Sequence, residues 1–197
     1  MPYEALLALC VYAFVTSVSP GPSNFMLLAS GANFGFARTI PQVLGITIGF
    51  ELLLLAVGAG LGALLVAYPP LHIGLKVGGG AYLLYLAWRI GTSRSLGKGS
   101  ETARPLTFLQ SAAFQWINPK AWVVALTTMA VYTNPDAPLL SVVVIMASFG
   151  LVNLPSVSAW AGFGTVLREL LSNPARLKWF NIAMGVLLAA TLWPLIA

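Results

Sequence analysis

The amino-acid sequence predicts an all-α integral membrane protein with six transmembrane helices, arranged as two inverted three-helix repeats in which the first and fourth helices are broken. Three observations predict it. The chain of 197 residues is 58% apolar and only 8% charged, with a mean hydropathy of +0.87, so it has too little polar surface to cover itself against water. Six apolar runs each reach about 18 residues or more, enough to cross a hydrocarbon core roughly 30 Å thick at about 1.5 Å of helix rise per residue. One long polar connection separates the first three runs from the last three.

The runs span residues 6–29, 43–67, 71–90, 105–131, 139–167 and 179–196. The first has no basic leader or small-residue cleavage pattern, and five more runs follow it, so a retained helix is expected rather than a removed signal peptide. Cys10 is the only cysteine, which excludes an internal disulfide and a cysteine-cluster metal site. Its expected role is packing within the first helix. The whole chain, 1–197, reads as one transmembrane domain with repeats at about 1–91 and 105–197, joined by the polar linker 92–104. An odd number of crossings in each half makes two similar halves enter the membrane from opposite faces.

Charge orients the chain. With alternate connections on alternate sides, one side receives Arg38, Arg89, Arg94, Lys98, Arg104, Arg168, Arg176 and Lys178; the other receives Lys76, and Lys120 falls inside a span. The positive-inside bias makes the crowded side cytoplasmic and places both termini outside the cytoplasm. The net charge of +5 is accounted for by a solvated face beside anionic membrane lipid, and no nucleic-acid partner is expected.

Two short motifs interrupt the apolar runs where helix continuity matters most. Ser19-Pro20-Gly21-Pro22-Ser23-Asn24 lies in the first run and Gln115-Trp116-Ile117-Asn118-Pro119-Lys120 in the fourth, each proline about fourteen residues from the start of its run. A proline inside a helix removes a backbone donor and obstructs the carbonyl one turn earlier, freeing polar groups that hydrocarbon cannot satisfy. Such breaks belong where they line a cavity or pack on protein. Fourteen residues correspond to about 21 Å of straight helix, so breaks approaching from opposite faces of a roughly 30 Å core would flank the midplane about 12 Å apart in depth. That spacing would bracket a small polar solute between free backbone groups. Simple proline kinks that shape the bundle are the alternative.

Lys120 and Glu51 are the ionisable groups expected within spans. An ammonium deep in a span costs about 2.5–3.5 kcal/mol on insertion scales and usually faces a cavity or a partner; snorkelling to the interface is the alternative for Lys120. Glu51, about eight residues into the second run, is open to three uses: proton carrier, ligand for a solute ammonium, or counter-ion for Lys120. Asn153 and Pro155 form a weaker interruption of the fifth run, where Asn153 would add a polar group to the cavity or Pro155 would kink a packing helix.

The remaining features have structural explanations. Gly45 and Gly49, Gly58 and Gly62, and Gly78 to Gly80 permit close helix approach, within one chain or in a homodimer. Residues 31–38 read as a short cytoplasmic loop with glycines at its turns. Trp179 and Trp193 bracket the last run as interfacial anchors, and His72 beside Lys76 reads as interfacial rather than metal-binding. An enzyme is not expected: one His, one Cys and five scattered acids form no nucleophile–base pair or ligand cluster, and no phosphate-cradling loop precedes a lysine. Neither cofactor nor metal is expected.

The stretches "SPGPSNFMLLASGANFG", "GITIG", "GGGAYLLYLAWR" and "NPKAW" resemble the LysE/RhtB superfamily of amino-acid exporters, a resemblance that covers nearly the whole chain. It implies a bacterial inner-membrane protein that exports amino acids or close derivatives by proton antiport, with alternating access. The family's PGP motif falls on Pro20, Gly21 and Pro22, its NPK motif on Asn118, Pro119 and Lys120, and its spaced glycines on Gly45 and Gly49. Ser19, Pro20, Gly21, Pro22, Asn24, Asn118, Pro119 and Lys120 are the expected substrate-binding positions for a small zwitterionic solute, Lys120 reading its carboxylate. Glu51 and Asn153 are expected in coupling or as further solute contacts. Family members often carry an acid directly after the second glycine; here Phe50 stands there and Glu51 follows. One residue turns a helical side chain by about 100°, which moves Glu51 toward a different neighbour. A passive pore or a membrane assembly factor is the remaining alternative.

Overall fold

The computed structural model describes residues 1–93 and 104–193. They form α1 (Tyr3–Val18), α2 (Pro22–Phe34), α3 (Phe36–Gly58), α4 (Leu61–Ala67), α5 (Pro69–Gly91), α6 (Phe108–Gln115), α7 (Pro119–Tyr132), α8 (Pro138–Leu167), a 3₁₀ turn (Leu170–Ser172) and α9 (Pro174–Ala190). Proline starts rather than breaks most of these. Pro22, Pro69, Pro119, Pro138 and Pro174 each occupy the first helical turn, where the missing N–H would have no intrahelical partner anyway.

Large apolar side chains cover the outside, the arrangement a lipid solvent demands, and polar side chains are gathered inside among apolar clusters. On α3, Ile40, Leu44, Ile48, Leu52 and Leu55 face outward at helical spacing, whereas Thr39, Gln42, Gly45, Thr47 and Gly49 are buried. Among the described residues, two helices, α3 and α8, are long and apolar enough to cross a membrane, and α1 with α2, bent by 53° at their junction, makes a third when counted as one span. Both interruptions read from the motifs are present, between α1 and α2 and between α6 and α7.

Packing is exchanged between the two parts of the chain. α1 and α2 pack on α8, α6 and α7 on α3, α3 on α8, and α5 on α9. Glycine sets the closeness. A Cβ on Gly164 would lie 2.1 Å from the Leu28 carbonyl oxygen, one on Gly49 2.6 Å from Ala112 Cα, and one on Gly185 2.6 Å from the Ala87 carbonyl oxygen. These are backbone-to-backbone contacts in which no side chain fits.

Several sequence expectations change. Residues 31–38 are not a loop: α2 and α3 run almost into one another through Gly35, whose φ of 85° is open chiefly to glycine. Gly31 is helical and packs on Ala161. The second run starts seven residues earlier than expected, at Phe36, and is divided by Gly60 at φ 103° into α3 and α4. Pro155 does not interrupt the fifth run, since α8 continues through it. Arg94 and Lys98 lie outside the described residues, as does the side chain of His72. The charge-rich end is nevertheless assembled: Arg168 approaches Gly35, Arg38 lies over the Phe34 ring at 5.6 Å, and Arg89 Nη2 donates to the Arg104 carbonyl at 3.4 Å. Asn181 in the middle of α9 bonds Asn33 at the end of α2 and the Ser93 carbonyl beyond α5.

Candidate functional site

The end of α1 frees its last carbonyls because Pro20 and Pro22 offer no N–H. Each of those carbonyls has a partner within the protein. Val15 accepts from Ser19 N–H (2.9 Å) and Thr16 from the Ser19 hydroxyl (3.0 Å). Ser17 accepts from Asn24 Nδ2 (2.9 Å) and Val18 from Trp160 Nε1 (3.1 Å). Ser19 accepts from Asn24 Nδ2 (2.9 Å) and from Lys120 Nζ (2.6 Å). Lys120 Nζ also donates to Ser19 Oγ at 2.9 Å.

The second break is closed in the same manner. Ile117 N–H donates to Phe114 and Asn118 N–H to Gln115, while Trp122 Nε1 donates to the Trp116 carbonyl at 2.7 Å. Asn118 Oδ1 accepts from Lys120 N–H at 3.1 Å, which caps α7 just ahead of Pro119. Its Nδ2 donates to Ser23 Oγ across the interface at 3.0 Å, and Gln115 Nε2 lies 3.2 Å from the same hydroxyl.

The two breaks therefore touch. Side chains bridge the expected gap of about 12 Å: Lys120 reaches the Ser19 carbonyl and Asn118 reaches the Ser23 hydroxyl. The backbone groups are also paired rather than free. Between them lies a cavity of about 50 Å³, bounded by Ser17, Gly21, Asn24, Phe50, Lys120 and Asn153 among others. That is room for a few waters and less than an amino acid.

Each nominated residue has a distinct place. Lys120 reaches across to α1 instead of snorkelling, and Gly21 makes room for it: a Cβ there would lie 2.7 Å from Lys120 Cδ. Pro20 lies between the helices, Pro22 opens α2 and Pro119 opens α7. Asn24 is 4% exposed and its amide nitrogen serves two α1 carbonyls. Asn153 Nδ2 donates to Ser17 Oγ at 3.2 Å, and its Oδ1 accepts from Thr47 at 3.4 Å. Glu51 is the exception. Phe50 lines the cavity in its stead, while Glu51 Oε1 turns toward Gly150 of α8 and is buried without a hydrogen bond. Glu51 and Lys120 form no ion pair in this conformation.

Ser23, Gln115, Trp122 and Trp160 join the network as well. A sequence search for orphaned carbonyls near each break would point to donors of this type, but Trp160 is 142 positions from Val18, a distance that only the tertiary fold closes.

The sequence matches the LysE type translocator family over residues 14–191. The chain belongs to this family. Curated LysE-family relatives include the cysteine/O-acetylserine efflux proteins of Escherichia coli strain K12 and of Shigella flexneri serotype 5b (strain 8401), each 30% identical over 186 residues that cover 93% of both chains. No solved structure matches. The LysE family is one of membrane transporters, and its members are not enzymes.

Proposed function

We propose that this LysE-family chain is a secondary transporter that exports amino acids or close derivatives, O-acetylserine and cysteine first among them, from the cytoplasm. The observation that carries the proposal is the contact of Lys120 Nζ with the Ser19 carbonyl, which joins the two broken helices through one ammonium. Parting that contact exposes a cation on one side and carbonyl oxygens on the other. A zwitterion carries both complements: its carboxylate takes Lys120, and its ammonium takes the carbonyls of Ser17 and Ser19. Asn118 and Asn153 supply uncharged contacts, and Pro20, Gly21, Pro22 and Pro119 hold the backbone open for them.

The movement is alternating access between two inverted repeats, 1–91 and 105–197, that make six spans with both termini outside. The exchanged packing supports this, since each half lays its broken helix on the second helix of the other half. α3 runs antiparallel to α8, with Thr47 on Asn153 and Gly58 on Val142, and α5 antiparallel to α9, with Ala87 on Gly185 and Gly91 on Asn181, as an inverted pair would. Glu51, unpaired and one residue from the cavity wall, is the group for proton coupling.

Purified protein in liposomes tests the reading. Preloaded O-acetylserine is expected to drive uptake of labelled O-acetylserine, and an imposed proton gradient is expected to accumulate it. Equilibration without accumulation under any ion gradient points to a passive pore, and no flux of any amino acid overturns export.

A further inference from the structure

Outside the break lies a larger cavity of about 270 Å³ at the charge-rich end, bounded by α2, by Gln42 of α3, by the end of α5 and by residues 104–106. Two guanidinium groups, Arg89 and Arg104, line it, and among the described residues neither is in an ion pair. Deeper, Gln42 is 1% exposed and its buried Oε1 accepts no hydrogen bond. An amide oxygen left unpaired in a buried wall costs about 1–3 kcal/mol, and most such oxygens are satisfied. The wall beside it is stiff: Asn33 and Asn181 exchange amide hydrogen bonds at 2.9 and 3.2 Å.

This cavity shares its walls with the one at the break. α2 lines the outer cavity from Met26 to Phe34 and the inner one from Gly21 to Asn24; on α3, Gln42 faces the outer cavity and Ile46 and Phe50 the inner. Met26, 3% exposed and packed with Phe114 and Leu106, stands between them.

We propose that the outer cavity is a loading site for the α-amino-acid headgroup, with the carboxylate on Arg89 and Arg104 and the ammonium on Gln42 Oε1, occupied before the solute passes Met26 to reach Lys120. The proposal rests on the export reading and adds a second, separate recognition point. Forked guanidinium donors suit a carboxylate, and the orphaned oxygen suits the ammonium N–H carried on the same α-carbon.

The test is equilibrium binding to the protein in nanodiscs, using O-acetylserine, its carboxamide, and its N-acetyl derivative as probes. Arg89→Gln with Arg104→Gln is expected to weaken O-acetylserine binding roughly tenfold or more, with less effect on the carboxamide. Gln42→Leu, which removes the orphan and is expected to fold at least as well, should weaken O-acetylserine but not the N-acetyl derivative. If the wild type binds O-acetylserine and both variants bind it equally well, the loading site is overturned while export stands. If the wild type binds none of the probes and moves no amino acid, the export reading fails and the loading site falls with it. Displacement of bound anionic lipid by the arginine variants, without change in solute affinity, would assign the cavity to a lipid headgroup and overturn it also.

Discussion

Gly164→Ala tests whether close helix packing holds the first break together. The new Cβ would lie 2.1 Å from the Leu28 carbonyl oxygen and 2.8 Å from the Ala32 nitrogen, both backbone atoms. Ordinary contact begins near 3.4 Å, so α8 and α2 must part by about 1.3 Å, against interiors that tolerate little added volume. One hydrogen bond crosses this interface beside the clash, Thr165 to the Gly31 carbonyl at 3.4 Å. A shift of that size takes it beyond bonding range. Overpacking at roughly 1–3 kcal/mol and one hydrogen bond at about 0.5–1.5 kcal/mol put the loss at about 1.5–4.5 kcal/mol. Thermal unfolding of the detergent-purified variant should show a clear fall in Tm, and export should fall with it because α8, which carries the Trp160 cap of Val18, is displaced. Gly162→Ala, on the same helix with nothing within 4 Å, is the control and should behave as wild type. A Gly164→Ala protein with unchanged Tm and transport would refute the link between this packing and the break.

Two further outcomes follow from single residues. Gly35→Ala forces alanine into φ 85°, ψ 165°, a region that costs about 1–3 kcal/mol without glycine; a lowered Tm with α2–α3 contacts loosened in hydrogen exchange is expected, and wild-type stability would contradict the turn geometry. Glu51→Gln keeps the shape and removes the ionisable group, so counterflow should persist while proton-driven accumulation is lost; undiminished proton-driven accumulation removes Glu51 from the coupling path.

The breaks were legible because proline and glycine in an apolar run leave a local signature. What satisfies them was not. Asn118 is two residues from the amide it caps, and Asn24 five and seven residues from the carbonyls it serves, so local spacing hints at their role. Trp160 and Lys120 reach their carbonyls from distant segments, and nothing in their own neighbourhoods names the partner. The same limit hides the contact between the breaks, because the pairs that join them, Lys120 with Ser19 and Asn118 with Ser23, are 101 and 95 positions apart. Glu51 shows the opposite case. Its displacement by one residue from the position directly after Gly49 was visible as a rotation of about 100°, and Phe50 does line the cavity in its place. The outer cavity was hidden because Gln42, Arg89 and Arg104 belong to three separate segments of the sequence and none carries a motif. The loop expected at 31–38 failed for a local reason: glycines at 31 and 35 look alike in sequence, yet one turns the chain and the other admits Ala161.

Solute counterflow by Lys120→Met in liposomes bears most directly on the joined breaks. Methionine loses two charge-assisted bonds to Ser19, each about 1.5–3 kcal/mol, and removes an ammonium whose burial costs about 2.5–3.5 kcal/mol. Those magnitudes largely offset, so the variant should insert and unfold much as the wild type does. Its counterflow of O-acetylserine should be abolished. Wild-type counterflow from correctly inserted Lys120→Met protein would contradict the role given to this ammonium and, with it, the site at the breaks.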